Sequence, residues 1–506
     1  MQTGSPLEAS TRPELSNDEA DRVEKARDEA NNDGANHDEA GNDEADSDET
    51  DSDEEENQAF SEVLASIRQE NIVSFCIETR GRLDPSFSIE SNPSQAQNAT
   101  LEPVIFGSYH AIFPVKFHDE VRWILKVPAV GTKNHFDSSS AAALRSEAST
   151  MRLIRKATSI PLPDVFAFDA SLDNDLGAPF ILMSFAEGAS AYDVWFDKTI
   201  APEEMHARRT QILEDLATVM IQLDQFAFKT GGAPVFDQDG TIAEIGPMRC
   251  VDHQRMLERF GKDDEDETPL YYTAGPFDSP RAFYRQAIDR EEPSTQPVYQ
   301  GARKLLQLFL DWIPDLQAET PFVLAHPDFN FQNILVSPQG QLQSIIDWDG
   351  VAAVPLSIGN KSLPSFLTRD WDPAMYAWNE DMERGTQPDG LWEDSPETLQ
   401  KYRREYQELF QARSSSPSGN NPSMTKLSLY VQNLVIAAED TMCRFEILKK
   451  FVEEIMPSVL DMAEAGERAT LEEDFNVFDI SSGLANGTLE QRTTDLLRRG
   501  FETLLS

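Results

Sequence analysis

The stretch His326-Pro327-Asp328-Phe329-Asn330-Phe331-Gln332-Asn333 constrains this 506-residue chain more than any other, because Ile345-Ile346-Asp347-Trp348-Asp349 follows at short range. Val323-Leu324-Ala325 is a short apolar run, Asp328 to Asn333 is polar and turn-rich, and Ile334-Leu335-Val336 is apolar again ahead of Ser337-Pro338-Gln339-Gly340. This pattern predicts a loop that runs into a β-hairpin. The second strand, Leu342 to Ile346, would return Asp347 alongside Asn333, so that an amide and a carboxylate from adjacent segments grip one metal ion. Asp328 would then sit across the site, facing a hydroxyl. Those residue types suit transfer of a γ-phosphoryl group, which needs ligands for Mg²⁺ and a carboxylate beside the incoming hydroxyl.

The His-x-Asp-x-x-x-x-Asn loop with the following Ile-Ile-Asp-Trp-Asp resembles the aminoglycoside phosphotransferase and choline kinase family, including its fungal phosphotransferase members. The resemblance implies an α+β, protein-kinase-like fold of two lobes, a small β-rich N-lobe and a larger, mostly helical C-lobe. It also implies ATP and Mg²⁺ as cofactors, Asp328 as the catalytic Asp, His326 as support for the loop, and Asn333 and Asp347 as Mg²⁺ ligands. The alternative for these residues is a polar turn in an ordinary hairpin, against which the flanking strands and the second motif weigh.

A site of this kind demands a glycine-bearing turn, a strand Lys and a helix Glu upstream. Val104-Ile105-Phe106-Gly107-Ser108-Tyr109-His110 is the candidate phosphate-covering turn, with Gly107 and Ser108 at its tip. Val121 to Pro128 is strand-like and carries Lys126, the choice for the phosphate contact; Lys116 is the competing lysine, placed at a turn by His118-Asp119-Glu120. Ala141 to Ala148 is rich in helix formers and offers Glu147 as the partner of Lys126. A solvated helical Glu is the commoner fate of such a residue. Phe180 to Gly188 reads as a hinge strand, and by the resemblance Ser184, Phe185 and Ala186 neighbour the nucleotide. A plain buried core strand fits the same residues.

Charge is uneven along the chain. Of the formal −46, residues 1–57 contribute 21 acidic against 4 basic residues, and Asp-Glu-Ala recurs at positions 18, 28, 38 and 43. So polar a segment cannot offset its ordering entropy, and an acidic disordered tail is expected over 1–57. Cys76, Cys250 and Cys443 are odd in number and far apart, which argues against a disulfide framework or a cysteine zinc site. No apolar run approaches membrane-spanning length and no signal segment opens the sequence, so a cytoplasmic protein is expected, with a nuclear one also open.

The expected organisation is a tail over 1–57, an N-lobe with hinge over 58–188, and a C-lobe over 189–506 with the catalytic loop at 324–350. An amphipathic helix is expected from Phe60 to Phe75, and helices separated by turns over 201–320, with Ile212, Leu213, Leu216, Val219, Met220 and Leu223 facing the core. Val431, Leu434, Ala438, Met442, Phe445, Leu448, Val452 and Ile455 read as one long apolar helical face. Asp263 to Glu267 reads as a solvated acidic loop, with recognition of a cationic substrate as the sharper alternative. Arg413 to Ser423 reads as a linker. Pro355 follows Asp347 too soon for a long activation segment, which disfavours a kinase acting on proteins. The expectation is therefore phosphorylation of a small-molecule hydroxyl, with no nucleic-acid or membrane partner. The rival is a pseudokinase-like binding module whose acidic tail takes basic partners.

Overall fold

The computed structural model describes residues 58–84, 87, 98–260, 268–373, 376–388, 390–413, 423–463, 468, 471 and 475–506. The acidic tail, the loop at 263–267 and residues 414–422 of the expected linker lie outside the described residues.

The chain enters through α1 (Ser61–Ser66) and α2 (Gln69–Leu83). These replace the single helix expected from Phe60 to Phe75. Ile67 turns to an extended ψ of 134° and breaks the helix, and α2 then runs on to Leu83. Val63, Ile67 and Ile72 are buried, as their spacing requires.

Six strands follow: β1 (Ala99–Leu101), β2 (Ile105–Phe106), β3 (His110–Phe117), β4 (Arg122–Pro128), β5 (Val165–Asp169) and β6 (Phe180–Ser184). They form one antiparallel sheet in the order β1-β3-β4-β6-β5, with β2 paired to β3. Between β4 and β5 lies α3 (Ser138–Ala157), capped by Asp137, whose carboxylate accepts the Ser140 N–H at 2.8 Å. Strand alternation assigns the two faces. Trp123, Leu125 and Val127 join the core shared with α1 and α2, whereas Ile124, Ile181 and Met183 pack on the opposite side. Lys126 shares the Ile124 face, the one α3 covers. On α3 the buried stripe Leu144, Glu147, Ala148, Met151 and Ile154 follows the helical period. Lys116 lies within β3, not at the turn the sequence suggested, and pairs at the surface with Glu120.

The larger lobe opens with β7 (Ala189–Ser190), α4 (Ala191–Trp195) and α5 (Pro202–Met220), and the expected stripe on α5 is buried. The region 201–320 is not purely helical as expected. It carries β8 (Ala227–Phe228), the hairpin β9 (Ala233–Phe236) with β10 (Ile242–Gly246), and β11 (Met248–Val251), which pairs across α6 (His253–Phe260) with β12 (Tyr271–Ala274). Residues of β11 and β12 are nearly all half-buried, so no period-two hydrophobic signal marks them in the sequence. After α7 (Pro280–Arg290) and α8 (Pro297–Trp312) come β13 (Phe322–Ala325), β14 (Ile334–Val336), β15 (Leu342–Ile345) and β16 (Ala352–Pro355). They form two small sheets, β16-β13-β8 and β15-β14-β7.

Helices complete the lobe: α9 (Glu380–Glu383), α10 (Pro396–Arg413), α11 (Met424–Glu439), α12 (Arg444–Met462), α13 (Val477–Asn486) and α14 (Gln491–Leu505). The long apolar face expected from Val431 to Ile455 is divided between α11 and α12. Asp440 accepts the N–H groups of Met442 and Cys443 at the break, and Met442 is exposed. The architecture is thus α+β in two lobes, sheet-rich and then mostly helical, as expected. Among the described residues no helix is long and apolar enough to cross a membrane.

Candidate active site

The catalytic-loop motif is positioned by aromatic packing and by one histidine. Phe331 stacks on Phe366 with ring centroids 4.0 Å apart and touches Tyr192, Trp195 and Phe196, so the loop is pinned to the helical lobe beside α4. His326 is buried. Its Nε2 lies 2.8 Å from the Ile346 carbonyl, and its Nδ1 accepts the Asp328 N–H at 3.2 Å. A carbonyl can only accept and an N–H can only donate, so these partners define a neutral ring protonated on Nε2. Burial accordingly lowers the His326 pKa to about 4. One imidazole thereby ties the loop to the strand end that carries Asp347.

Asn333, on the turn Phe331–Asn333, donates through Nδ2 to the Asp328 carbonyl at 3.0 Å and to Asp328 Oδ2 at 2.8 Å. Gln332 adds a second bond to that carboxylate at 3.0 Å. Asp328 is exposed. Desolvation nonetheless raises its pKa, as does the charge of Asp347, against the bonds from Asn333 and Gln332. Ile346 N–H bonds to the Asn333 carbonyl at 2.9 Å, which closes the hairpin and sets Asp347 beside the loop. Asp347 itself has φ +56°, a left-handed conformation that Asp tolerates better than most residues.

Lys126 is the junction of the two lobes. Its Nζ stands 2.7 Å from Glu147 Oε1 and 2.7 Å from Asp347 Oδ1. Burial alone would lower the Lys126 pKa, but Asp347, Glu147 and Asp349 outweigh it and hold the ammonium firmly charged. Asp347 is likewise held well below the usual carboxylate range: burial opposes this, and Lys126 above all overcomes it. Burial raises Glu147, and Lys126 counters that rise. The 2.7 Å contact between ammonium and carboxylate is the geometry of an ion pair, and we take Glu147 as ionised at neutral pH.

Gly107 and Ser108 form the exposed turn between β2 and β3, closed by Gly107 N–H to the His110 carbonyl at 3.0 Å. A Cβ at Gly107 would meet nothing closer than 3.9 Å, so the turn itself does not demand glycine. At the hinge, Ser184 N–H bonds to the Asp164 carbonyl at 2.9 Å and Phe185 N–H to the Arg122 carbonyl at 3.1 Å. Those two donors are committed within the protein, and Arg122 covers the Phe185 ring at 3.8 Å. Among the described residues, no hydrogen bond engages the Ala186 N–H.

Three residues join the site without having been singled out for it: His110, Asp349 and Arg249. With Lys126, Glu147, Ser140 and others they line one pocket. His110 Nε2 is 3.8 Å and Arg249 Nη2 is 3.9 Å from Asp349 Oδ2. Burial, then the charge of Lys126, lowers the His110 pKa to about 4. His110 and Asp349 flank motifs visible in the sequence. Arg249 arrives from β11, more than a hundred residues from Lys126, and no local pattern announces it.

Residues 112–356 match the model of the phosphotransferase enzyme family (APH). This segment, which contains Lys126, Glu147, Asp328, Asn333 and Asp347, belongs to that family. Among curated proteins, the chain is 22% identical over 342 residues to "Altered inheritance of mitochondria protein 9, mitochondrial" of Saccharomyces cerevisiae, covering 58% of this chain and 53% of the relative. It is 23% identical over 316 residues to a subtelomeric hrmA-associated cluster protein of Aspergillus fumigatus, covering 52% and 60%. The chain thus spans little more than half the length of these relatives. The cytoplasmic expectation is corrected here, because the yeast relatives are named as mitochondrial proteins. Among solved structures, the amicoumacin kinase hAmiN in complex with AMP-PNP, Ca²⁺ and Ami aligns over 85% of this chain and 96% of its own, at 13% identity and a TM-score of 0.40. Choline kinase from Cryptosporidium parvum aligns over 85% and 97%, at 11% identity and a TM-score of 0.32.

Proposed function

We propose that the chain is an ATP- and Mg²⁺-dependent phosphotransferase whose acceptor is a hydroxyl of a small molecule. The observation that carries this reading is the convergence of Lys126, Glu147 and Asp347 from three separate elements, with Asp328 and Asn333 held on the adjoining loop. The donor set suits Mg²⁺. Asn333 commits Nδ2 to Asp328, which turns its Oδ1 outward as a hard oxygen ligand, and Asp347 supplies a carboxylate. Mg²⁺ held there would neutralise charge on the transferring phosphoryl group.

The chain's own residues do the rest. Lys126 carries three donors and directs two of them to Glu147 and Asp347, which leaves one for a nucleotide phosphate. Asp328 orients the acceptor hydroxyl and takes its proton, a role its raised pKa favours. Residues 58–188 act as N-lobe and hinge and 189–506 as C-lobe. The names of the yeast relatives also motivate a proposed mitochondrial location, tested by where a fluorescent fusion of the full chain accumulates.

The test is thermal stability with and without ATP and Mg²⁺ for wild type and Asp347→Asn. Asparagine tolerates the left-handed backbone at this position, so the variant removes charge with little added strain. Ligand at a hundredfold excess over its dissociation constant stabilises by about 2.7 kcal/mol. A Mg²⁺-dependent shift that the variant loses supports the reading, and consumption of ATP with candidate alcohols then identifies the acceptor. A wild type that does not respond to millimolar nucleotide sinks the reading and favours the binding-module alternative.

A further inference from the structure

Arg249 is an arginine that β11 places in the Lys126 pocket. β11 pairs with β12 in the register Arg249↔Thr273 and Val251↔Tyr271, so Tyr271 sits diagonally across from Arg249 on the same face. Its ring lies 3.9 Å from the guanidinium carbon. The side chain is 7% exposed, and among the described residues its one hydrogen bond runs from Nη1 to Ser140 Oγ at 3.1 Å. Asp349, at 3.9 Å, is beyond hydrogen-bond reach. A guanidinium has five donors in a rigid fork. Here the fork is desolvated, braced by an aromatic face and by α3, and incompletely engaged. It lines the same pocket as Lys126 and Glu147, next to His110 at the start of the strand that follows the Gly107 turn.

We propose that Arg249 is a second phosphate-binding cation of this site, contacting the terminal phosphate of bound ATP from the β11–β12 strand pair. The inference rests on the phosphotransferase reading and adds a residue to it. A fork beside a compact ammonium divides the work: Lys126 is already shared between two carboxylates, whereas Arg249 offers paired donors matched to phosphate oxygens. Asp349 would act as the neighbour that keeps the fork aimed into the pocket before nucleotide arrives.

Dissociation constants for ATP and ADP, measured by calorimetry in Mg²⁺ buffer on the full chain, test this with wild type, Arg249→Ala and Arg249→Lys. In Arg249→Ala, ATP affinity should fall by about tenfold or more while ADP affinity stays within about twofold, because the lost contact is charge-assisted and terminal. Arg249→Lys should show the same selectivity with a smaller loss, and it carries the test if the alanine variant does not fold. Equal weakening of ATP and ADP would reduce Arg249 to a brace of the β11–β12 pair and overturn the proposal. So would unchanged ATP binding with a raised KM for the acceptor alone. A wild type that binds neither nucleotide fails the phosphotransferase reading itself and takes this inference with it, whereas normal ATP binding by wild type and Arg249→Ala alike overturns the inference and leaves that reading standing.

Discussion

His326 bridges Asp328 and Ile346 through its two ring nitrogens, so the residue two positions before the proposed base also fixes the strand end before the proposed metal ligand. His326→Ala should therefore loosen both at once. Two partly buried hydrogen bonds and a filled volume are removed, which predicts a loss of about 2–4 kcal/mol. Turnover should fall more than nucleotide affinity, a split that steady-state kinetics beside a denaturation curve would reveal.

The same ring predicts a pH dependence. Its folded pKa of about 4 lies below the ordinary value near 6.5, so between those values the unfolded chain binds a proton that the native state refuses. The stabilising contribution is complete above about 6.5 and is lost as pH falls toward 4, on the order of 3 kcal/mol for a shift of this size. Between pH 7 and 4.5 the urea midpoint of His326→Asn should hold up better on acidification than that of the wild type, the difference isolating this one ring. His110, also lowered to about 4, adds to the wild-type slope and remains in the variant.

Lys126→Met should be severe. It leaves Glu147 buried without a cation beside it and removes the charge that holds Asp347 low, a class of change that costs about 3–5 kcal/mol. Calorimetric unfolding would register it, and the stabilisation by ATP should disappear. Lys126→Met with Glu147→Gln should recover part of the stability and none of the nucleotide response.

Asp328→Asn should separate function from folding. The carboxylate is disfavoured in the fold by desolvation and by Asp347, so a neutral amide that still accepts from Asn333 leaves stability equal or slightly higher. Turnover should drop about 10²–10⁴-fold with loss of the proton acceptor. A coincident fall in melting temperature would count against the assigned electrostatics.

Gly301 offers a control far from the chemistry. A Cβ there would stand 1.9 Å from the Ser481 carbonyl oxygen, so α8 and α13 meet backbone to backbone. Gly301→Ala should force them apart at a cost of about 1–3 kcal/mol, with activity per folded molecule unchanged.

The closeness of the His326–Asn333 loop and Asp347 was legible because they flank one hairpin, where spacing in sequence is spacing in space. Lys126 and Glu147 could be read because strand alternation and a helical stripe each select one face. The β9–β10 and β11–β12 pairs were not, since half-buried strands of four or five residues have no clean period, and Arg249 depends on a packing arrangement between distant segments. The break between α11 and α12 carried a local sign, an Asp followed by Thr-Met-Cys, which the apolar periodicity on either side overshadowed. Hinge hydrogen bonding was legible only as a strand. That Ser184 and Phe185 already have partners for their N–H groups follows from β5 and the start of β4, which a local reading cannot bring together.

Four residues join Asp347 to β16, and every residue of β16 is matched to one on β13. A tether this short has no slack to swing out of the cleft, and drawing it away would mean unzipping a buried strand pair. The floor of the site behaves as a fixed anvil, not as a latch.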